Sequence, residues 1–468
     1  MAQIAVELND AGLVVARAGD AGIEVSTPSP GCALLSEGRV LVGAQAAARA
    51  RITPLYAQTR YWHQLSLERL PWTSGAVHTQ ADLAYAQLAD LLATTSGTAD
   101  GDLLFAVPPG YSREQLGLLV GIGNETGRTV RGLVDLAVAA CAAHVTAPHV
   151  LHLDVQLHQS VVSALEGSRA EGTLRRSRYE ILPGGGWQSL QQLLAETVAT
   201  HFVRRTRFDP LHEAATEQAL FDALPRWLAG LREAQEFEAS LESGGRNFTV
   251  TLERAALLEA LEPRLADLHR LVQAARPAGL AVELCVSATA AAVPGLLDRL
   301  ATLRDCRIVV LPAGAAARGA LEFSAAIVRA PDAVVLMHRL PVGVPVQAAA
   351  EGPTTPEALP LELTPTHVLH AGHAHALTVR PLVLGTSSDP QDRGLALPAG
   401  TPGVSRRHCT LVRREATVQV EDHSTYGTFV NDERVTGRLA LKVGDRLRLG
   451  APGVTLELIR VLPDDGAP

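Results

Sequence analysis

Lysine is almost missing from this chain. Lys442 is the only one in 468 residues, so any chemistry that needs a lysine amine within residues 1–441 is excluded. Aromatic residues make up 4% of the chain, which leaves Leu, Val and Ala to fill its cores. The five cysteines, at positions 32, 141, 285, 306 and 409, form no CxxC pair, which points to a reducing cytoplasm rather than to a disulfide framework. No apolar run reaches transmembrane length, and Met-Ala-Gln-Ile lacks the basic start of a signal peptide, so membrane insertion is not expected. A net charge of −8 provides no basic excess for the phosphates of a nucleic acid.

What is present suits a soluble globular protein, with 47% hydrophobic and 19% charged residues. The length exceeds what one core serves and implies two to four domains. Over residues 1–330, short apolar strands alternate with helical periodicity. Examples are strands at 4–8, 102–107, 150–155, 281–286 and 308–311, and helices at 81–94, 113–126, 189–203, 213–235, 257–274 and 314–327. That alternation is an α/β signature. Residues 331–365 contain Ala348-Ala-Ala-Glu-Gly-Pro-Thr-Thr-Pro356 and hold no period, as a linker would. From 366 to 462 the pattern changes to β-prone runs every 8–12 residues, separated by Gly, Asp, Asn and Ser, which is how an antiparallel sandwich reads. A short tail covers 463–468.

Three polar signatures fall in the turns of that sandwich: Gly403-Val-Ser-Arg-Arg-His-Cys409, Glu421-Asp-His-Ser-Thr-Tyr-Gly-Thr-Phe-Val-Asn431 and Lys442-Val-Gly-Asp-Arg-Leu-Arg-Leu-Gly450. Hydroxyls, loop N–H groups and guanidinium donors together suit a phosphate dianion, which offers only acceptors. In order and spacing these signatures resemble the forkhead-associated (FHA) domain, an 11-stranded-type β-sandwich that reads phosphothreonine peptides. The resemblance implies that Ser405 and Arg406 contact the phosphate and that Thr425 contacts the phosphothreonine and its neighbour. It also implies that His408 braces the first loop, Asn431 pins the second, and Gly427 is structural. Two positions depart from the family pattern. Gly385 is followed by Thr386 where the family carries a phosphate-binding arginine, with Arg393 or Arg407 as candidates to compensate. Tyr426 stands where an asparagine is expected. The implied partner is a phosphothreonine-containing protein of a Ser/Thr kinase pathway.

The order of pieces in residues 1–330 resembles the bilobed nucleotide-binding half of the seventy-kilodalton heat-shock chaperones, relatives of actin. Ile4–Asp10 stands at the first phosphate hairpin of that family, Phe105–Pro108 at its Val-Pro turn, His152–Leu165 at its second hairpin and Val286–Pro294 at its adenosine loop. Against that pattern the nucleotide site is eroded. Glu7, Asn9 and Asp10 replace an Asp-Leu-Gly-Thr-Thr hairpin, and Asp10 puts a carboxylate where a phosphate would lie. Gln156, Leu157 and His158 replace a glycine triplet, Ser287-Ala288 replaces a glycine pair, and the catalytic lysine is absent, with Arg60 a poor stand-in. Asp154 alone keeps its acidic position. The expected fold class is therefore α/β plus β, an actin/heat-shock-chaperone-like body followed by an FHA sandwich. The expected function is that of a bacterial-type, non-catalytic regulatory adaptor: a pseudo-ATPase with no cofactor. The alternatives are a divergent ATPase using ATP and magnesium, delivered to phosphorylated partners, and a structural actin-like subunit. His373 and His375 share a strand face without a carboxylate or thiol beside them, so no metal is expected. Gly184-Gly-Gly186 is read as a turn that reverses the chain before a helix.

Overall fold

The computed structural model describes residues 2–19, 22–36, 38–95, 101–168, 172–277, 279–327, 335–342, 364–370, 373–387, 393–398, 400–414, 417–451 and 453–460. The chain divides into two compact units, one of residues 1–269 and 283–347, the other of residues 270–282 and 348–468.

Two six-stranded sheets form the frame of the first unit. In one, Gly22–Val25, Val14–Gly19 and Ala2–Glu7 run as an antiparallel meander. Gly101–Val107, Val130–Asp135 and Leu336–Met337 then follow in parallel on the far side of Ala2–Glu7. In the other, Thr173–Pro183, Gln159–Ser168 and His149–Val155 form the meander, and Val282–Val286 and then Cys306–Val310 lie beyond His149–Val155. The same arrangement therefore occurs twice: an antiparallel three-strand meander whose first strand is flanked by crossover strands.

The central strands Gly101–Val107 and His149–Val155 are buried on both faces, as strands covered on both sides must be. Alternate residues of Ala2–Glu7 and Gly101–Val107 enter different cores. Ile4, Val6, Leu103, Phe105 and Val107 point into one, with Trp62 and Leu83; Ala5, Leu104 and Ala106 point into the other. The second core is built of small residues because two buried helices, Leu136–Ala142 and Ala315–Glu322, cross it at close range. Gly319 lies directly against the Ala139 carbonyl, where a Cβ would collide. Asp135 caps the first of these helices, accepting from Ala137 N–H (3.1 Å) and Val138 N–H (3.2 Å), and pairs with Arg176 at 2.5 Å.

Several expectations change on contact with the structure. The stretch expected to be a linker from 331 contains two strands of the first unit. Leu336–Met337 joins one large sheet and Arg339–Pro341 pairs with Thr173–Pro183 of the other. These runs are too short to show a period, which is why the sequence reading passes over them. Residues 331–334 and 343–363 of the expected linker lie outside the described residues, as does the tail 463–468. The helix expected over 314–327 ends at Glu322, with a 3-10 turn at Ser324–Ala326. Glu236–Ser243, whose polar residues hide a strand, pairs with Arg246–Glu253 as a hairpin.

The second unit contains a β-sandwich of a six-stranded and a five-stranded sheet, eleven strands among the described residues. Its core is aliphatic: Val368, Leu384, Leu411, Val420, Leu447 and Leu458 are among its buried members. His367–His370 opens it and Val454–Ile459 closes it, and the two pair antiparallel. Among the described residues, no helix is long and apolar enough to cross a membrane.

Candidate functional site

At one end of the sandwich the first two polar signatures come together. Ser405 Oγ accepts a hydrogen bond from Thr425 N–H at 3.2 Å, which ties the first loop to the second across 20 positions. His408, fully buried, stands behind this contact. Its Nδ1 accepts from Ser405 N–H at 3.0 Å, which leaves Nε2 to carry the proton and donate to the Gly427 carbonyl, also at 3.0 Å. The ring is therefore neutral, and burial lowers its pKa further. Gly427 adopts φ +82°, a conformation that favours glycine. Asp422 shapes the second loop, accepting from Ser424 N–H (3.1 Å), Ser424 Oγ (2.8 Å) and Thr428 Oγ1 (2.7 Å).

Arg406 is exposed beside Ser405, and among the described residues its guanidinium makes no protein bond. The Ser405 hydroxyl, which can still donate, and the exposed Arg406 guanidinium, without a protein bond among the described residues, stand side by side in one loop pair, donors of the kind that a phosphate needs. The strand Leu382–Gly385 runs directly under the first loop. Thr386 N–H donates to Ser405 C=O and Ser387 N–H to Arg406 C=O, both at 3.1 Å. Gly385 lies so close to the Arg406 carbonyl that a Cβ there would collide with it. Thr386, the position without its arginine, is thus a neighbour of the phosphate-type loop.

Two sequence expectations need amendment. Asn431 does not hold the second loop. Its Nδ2 donates to Asp445 (2.8 Å) and its Oδ1 accepts from Arg446 N–H (3.0 Å), so it fastens a left-handed turn (φ +51°) to the strand Arg446–Leu449. Arg393 cannot replace the missing arginine, because its guanidinium donates to Ala376 C=O (2.6 Å) and Thr378 Oγ1 (2.9 Å). Sequence reasoning missed Asp422, although an Asp followed by Ser two residues on is the signal of an Asx-type turn. Tyr426 stands 57% exposed at the tip of the second loop.

In the first unit, the two hairpins at 7–13 and 155–159 meet. Asn9 Nδ2 donates to Asp154 Oδ1 (2.9 Å) and to Val155 C=O (3.2 Å). Asp10 Oδ1 accepts from Leu157 N–H at 2.6 Å. Glu7 accepts from Ala316 N–H (2.9 Å) and Ala317 N–H (3.2 Å) at the start of the helix Ala315–Glu322. Burial pushes both carboxyls up to about 7, and the charge of Asp154 adds to the effect. Asp10, expected to put a carboxylate where a phosphate would lie, is thus bonded to a backbone donor of the other hairpin.

The other residues of this group have structural partners. His158 bonds the Thr59 carbonyl through Nε2 at 2.8 Å, and Gln156 accepts from Gln159 Nε2 at 2.9 Å. Ser287 caps a short helix, its Oγ accepting from Ala290 N–H at 3.2 Å. Arg60 is exposed. Gly184 takes φ +71° in the expected turn, and Gly186 lies too close to the 157–159 backbone for a Cβ. Among the described residues, no group of three or more His, Cys, Asp or Glu could hold a metal ion.

A protein-family model, the FHA domain, matches residues 383–450. This stretch contains both loops of the candidate site, the strand beneath them and the turn fastened by Asn431. The chain therefore carries an FHA domain at this position, a type of module that suggests phosphopeptide-directed protein interaction. No curated protein matches the chain.

Proposed function

We propose that the protein is a non-catalytic adaptor. Its FHA domain binds a phosphothreonine-containing protein of a Ser/Thr kinase pathway, and its first unit is an actin/heat-shock-chaperone-like pseudo-ATPase. The observation that carries the first part is the loop pair in which Ser405 Oγ meets Thr425 N–H beside the exposed Arg406 guanidinium, which makes no protein bond among the described residues. A phosphate oxygen bonded there gains charge-assisted contacts, and the loops need little rearrangement because His408 already fixes their spacing.

The repeated sheet arrangement, one meander with crossover strands occurring twice, supports the bilobed reading of the first unit. The inactivity follows from its hairpins. Glycine hairpins serve nucleotides by turning free N–H groups toward phosphate oxygens. Here Leu157 N–H is already spent on Asp10, and Asn9 bridges to Asp154. ATP with magnesium does not fit these residues, and no step of a reaction is assigned to them.

A cell extract passed over the immobilised full chain tests this reading. Proteins retained by the wild type should be lost after phosphatase treatment of the extract, and also when Ser405→Ala replaces the wild type. Retention unchanged by both treatments would contradict it.

A further inference from the structure

The first unit contains a cavity of about 240 Å³ whose wall includes the carboxylates of Glu7 and Asp154. Neither carboxylate has a fixed counter-charge there, since among the described residues no lysine or arginine lines the cavity. Glu7 is held by two neutral backbone donors, and Asp154 Oδ1 by the neutral amide of Asn9. Asp154 Oδ2 is buried without any hydrogen-bond partner, in a residue only 3% exposed. His152 also lines the wall, but burial lowers its pKa and keeps the ring neutral. A buried carboxylate without a partner is costly, and a cation that enters the cavity removes that cost.

The remaining wall decides which cation. Much of it is apolar, with Val14, Leu136 and Leu311 among its members. A volume of this size corresponds to about eight waters at ~30 Å³ each, well beyond one bare ion. We infer that this cavity binds a small organic ammonium ion, its charged head between Glu7 and Asp154 and its short apolar body along Val14, Leu136 and Leu311. An ammonium group brings three donors, which suits the free Asp154 oxygen, the Glu7 carboxylate and the nearby Ser287 hydroxyl. A multiply ligated metal ion is the weaker match, given that His152 is not placed with the two carboxylates as a metal-holding group, and no such group of three occurs among the described residues. The site lies in the first unit, so its failure would leave the phosphopeptide reading of the FHA domain untouched.

Calorimetric titration of the full chain at pH 8 tests the inference, with n-butylamine as the probe and 1-butanol and magnesium chloride as comparisons. The amine should bind saturably and the alcohol should not. Asp154→Asn, which keeps shape and can still accept from Asn9, should weaken the amine at least tenfold. Ala288→Leu narrows the cavity without changing its charge and should weaken binding as well; both variants should melt close to the wild type. If Asp154→Asn fails to fold, Ala288→Leu alone decides. The inference is overturned by absence of amine binding to the wild type, by equal binding to the variants, by butanol binding as tightly, or by magnesium displacing the amine.

Discussion

The Asp10 carboxylate accepts a 2.6 Å hydrogen bond from Leu157 N–H, joining two hairpins 147 positions apart in the sequence. The bond satisfies a backbone donor that would otherwise be available to an anion in the cleft. It also fixes a carboxylate at a buried position, where its pKa rises to about 7. Both consequences can be measured.

The first concerns pH. Asp10 has a folded pKa above its ordinary value of 3.8, so the folded chain holds an extra proton between about 4 and 7. The stability this brings is complete below about 4 and is lost as pH rises through 7. Glu7 acts in the same direction. The helical unfolding transition of the full chain should therefore shift to lower temperature between pH 5.5 and 8.5. Asp10→Asn keeps an oxygen for Leu157 and cannot ionise; it should flatten that slope and add about 1–2 kcal/mol at pH 8.5. Melting curves followed at 222 nm would show this, and an unchanged slope in the variant would count against it.

ATP turnover provides a second check. With magnesium and ATP, the purified chain should release phosphate no faster than a buffer control. Steady hydrolysis that disappears in Asp154→Ala would show that the first unit is a working ATPase.

The third prediction uses Thr386. Its backbone donates to Ser405 C=O, so a longer basic side chain at this position starts beside the phosphate-type loop. Thr386→Arg should add one charge-assisted bond, worth about 1.5–3 kcal/mol, and so tighten phosphothreonine-peptide binding by roughly tenfold or more. Fluorescence polarisation with a labelled peptide would measure it. No gain, with the fold intact, would mean that the phosphate lies elsewhere.

A fourth prediction has the opposite pH sign to the first. His408 has a lowered folded pKa because it is buried, and the neutral ring is the form that accepts from Ser405 N–H. Its contribution is present above the ordinary histidine pKa of about 6.5 and is lost as pH falls through the lower folded value. Amide exchange at Ser405, corrected for the intrinsic rate, should therefore keep its protection at pH 7.5 and lose it only as pH falls through the lowered folded value. His408→Gln should reduce protection already at pH 7.5. Protection at pH 7.5 left unchanged by His408→Gln would contradict Nδ1 as the acceptor.

The two halves of the molecule differ in how much of them could be read from sequence. The phosphate-type loops were legible because Ser405, Arg406 and His408 lie within four residues, as do Thr425 and Gly427. Short loops on a rigid sheet keep neighbours in sequence close in space. Asn431 was misplaced because its partners, Asp445 and Arg446, come from a different turn, and nothing in the spacing reveals that pairing. The alternation of strands and helices in the first unit was legible from periodicity. The strands Leu336–Met337 and Arg339–Pro341 were not, since two or three residues show no period and long-range pairing alone makes them strands. The Asp10–Leu157 bond is hidden from the sequence for the same reason: the donor arrives through a contact between distant hairpins.

The central claim is that the Ser405–Thr425 loop pair captures phosphothreonine. Its most direct test is a titration of the full chain with a phosphothreonine peptide library, each peptide paired with its unphosphorylated form, for the wild type beside Ser405→Ala and Arg406→Ala. The account predicts selective binding of phosphorylated peptides, weakened at least about tenfold in each variant, in keeping with the loss of one charge-assisted bond. Equal binding of phosphorylated and unphosphorylated peptides, or selective binding that survives both substitutions, would contradict it.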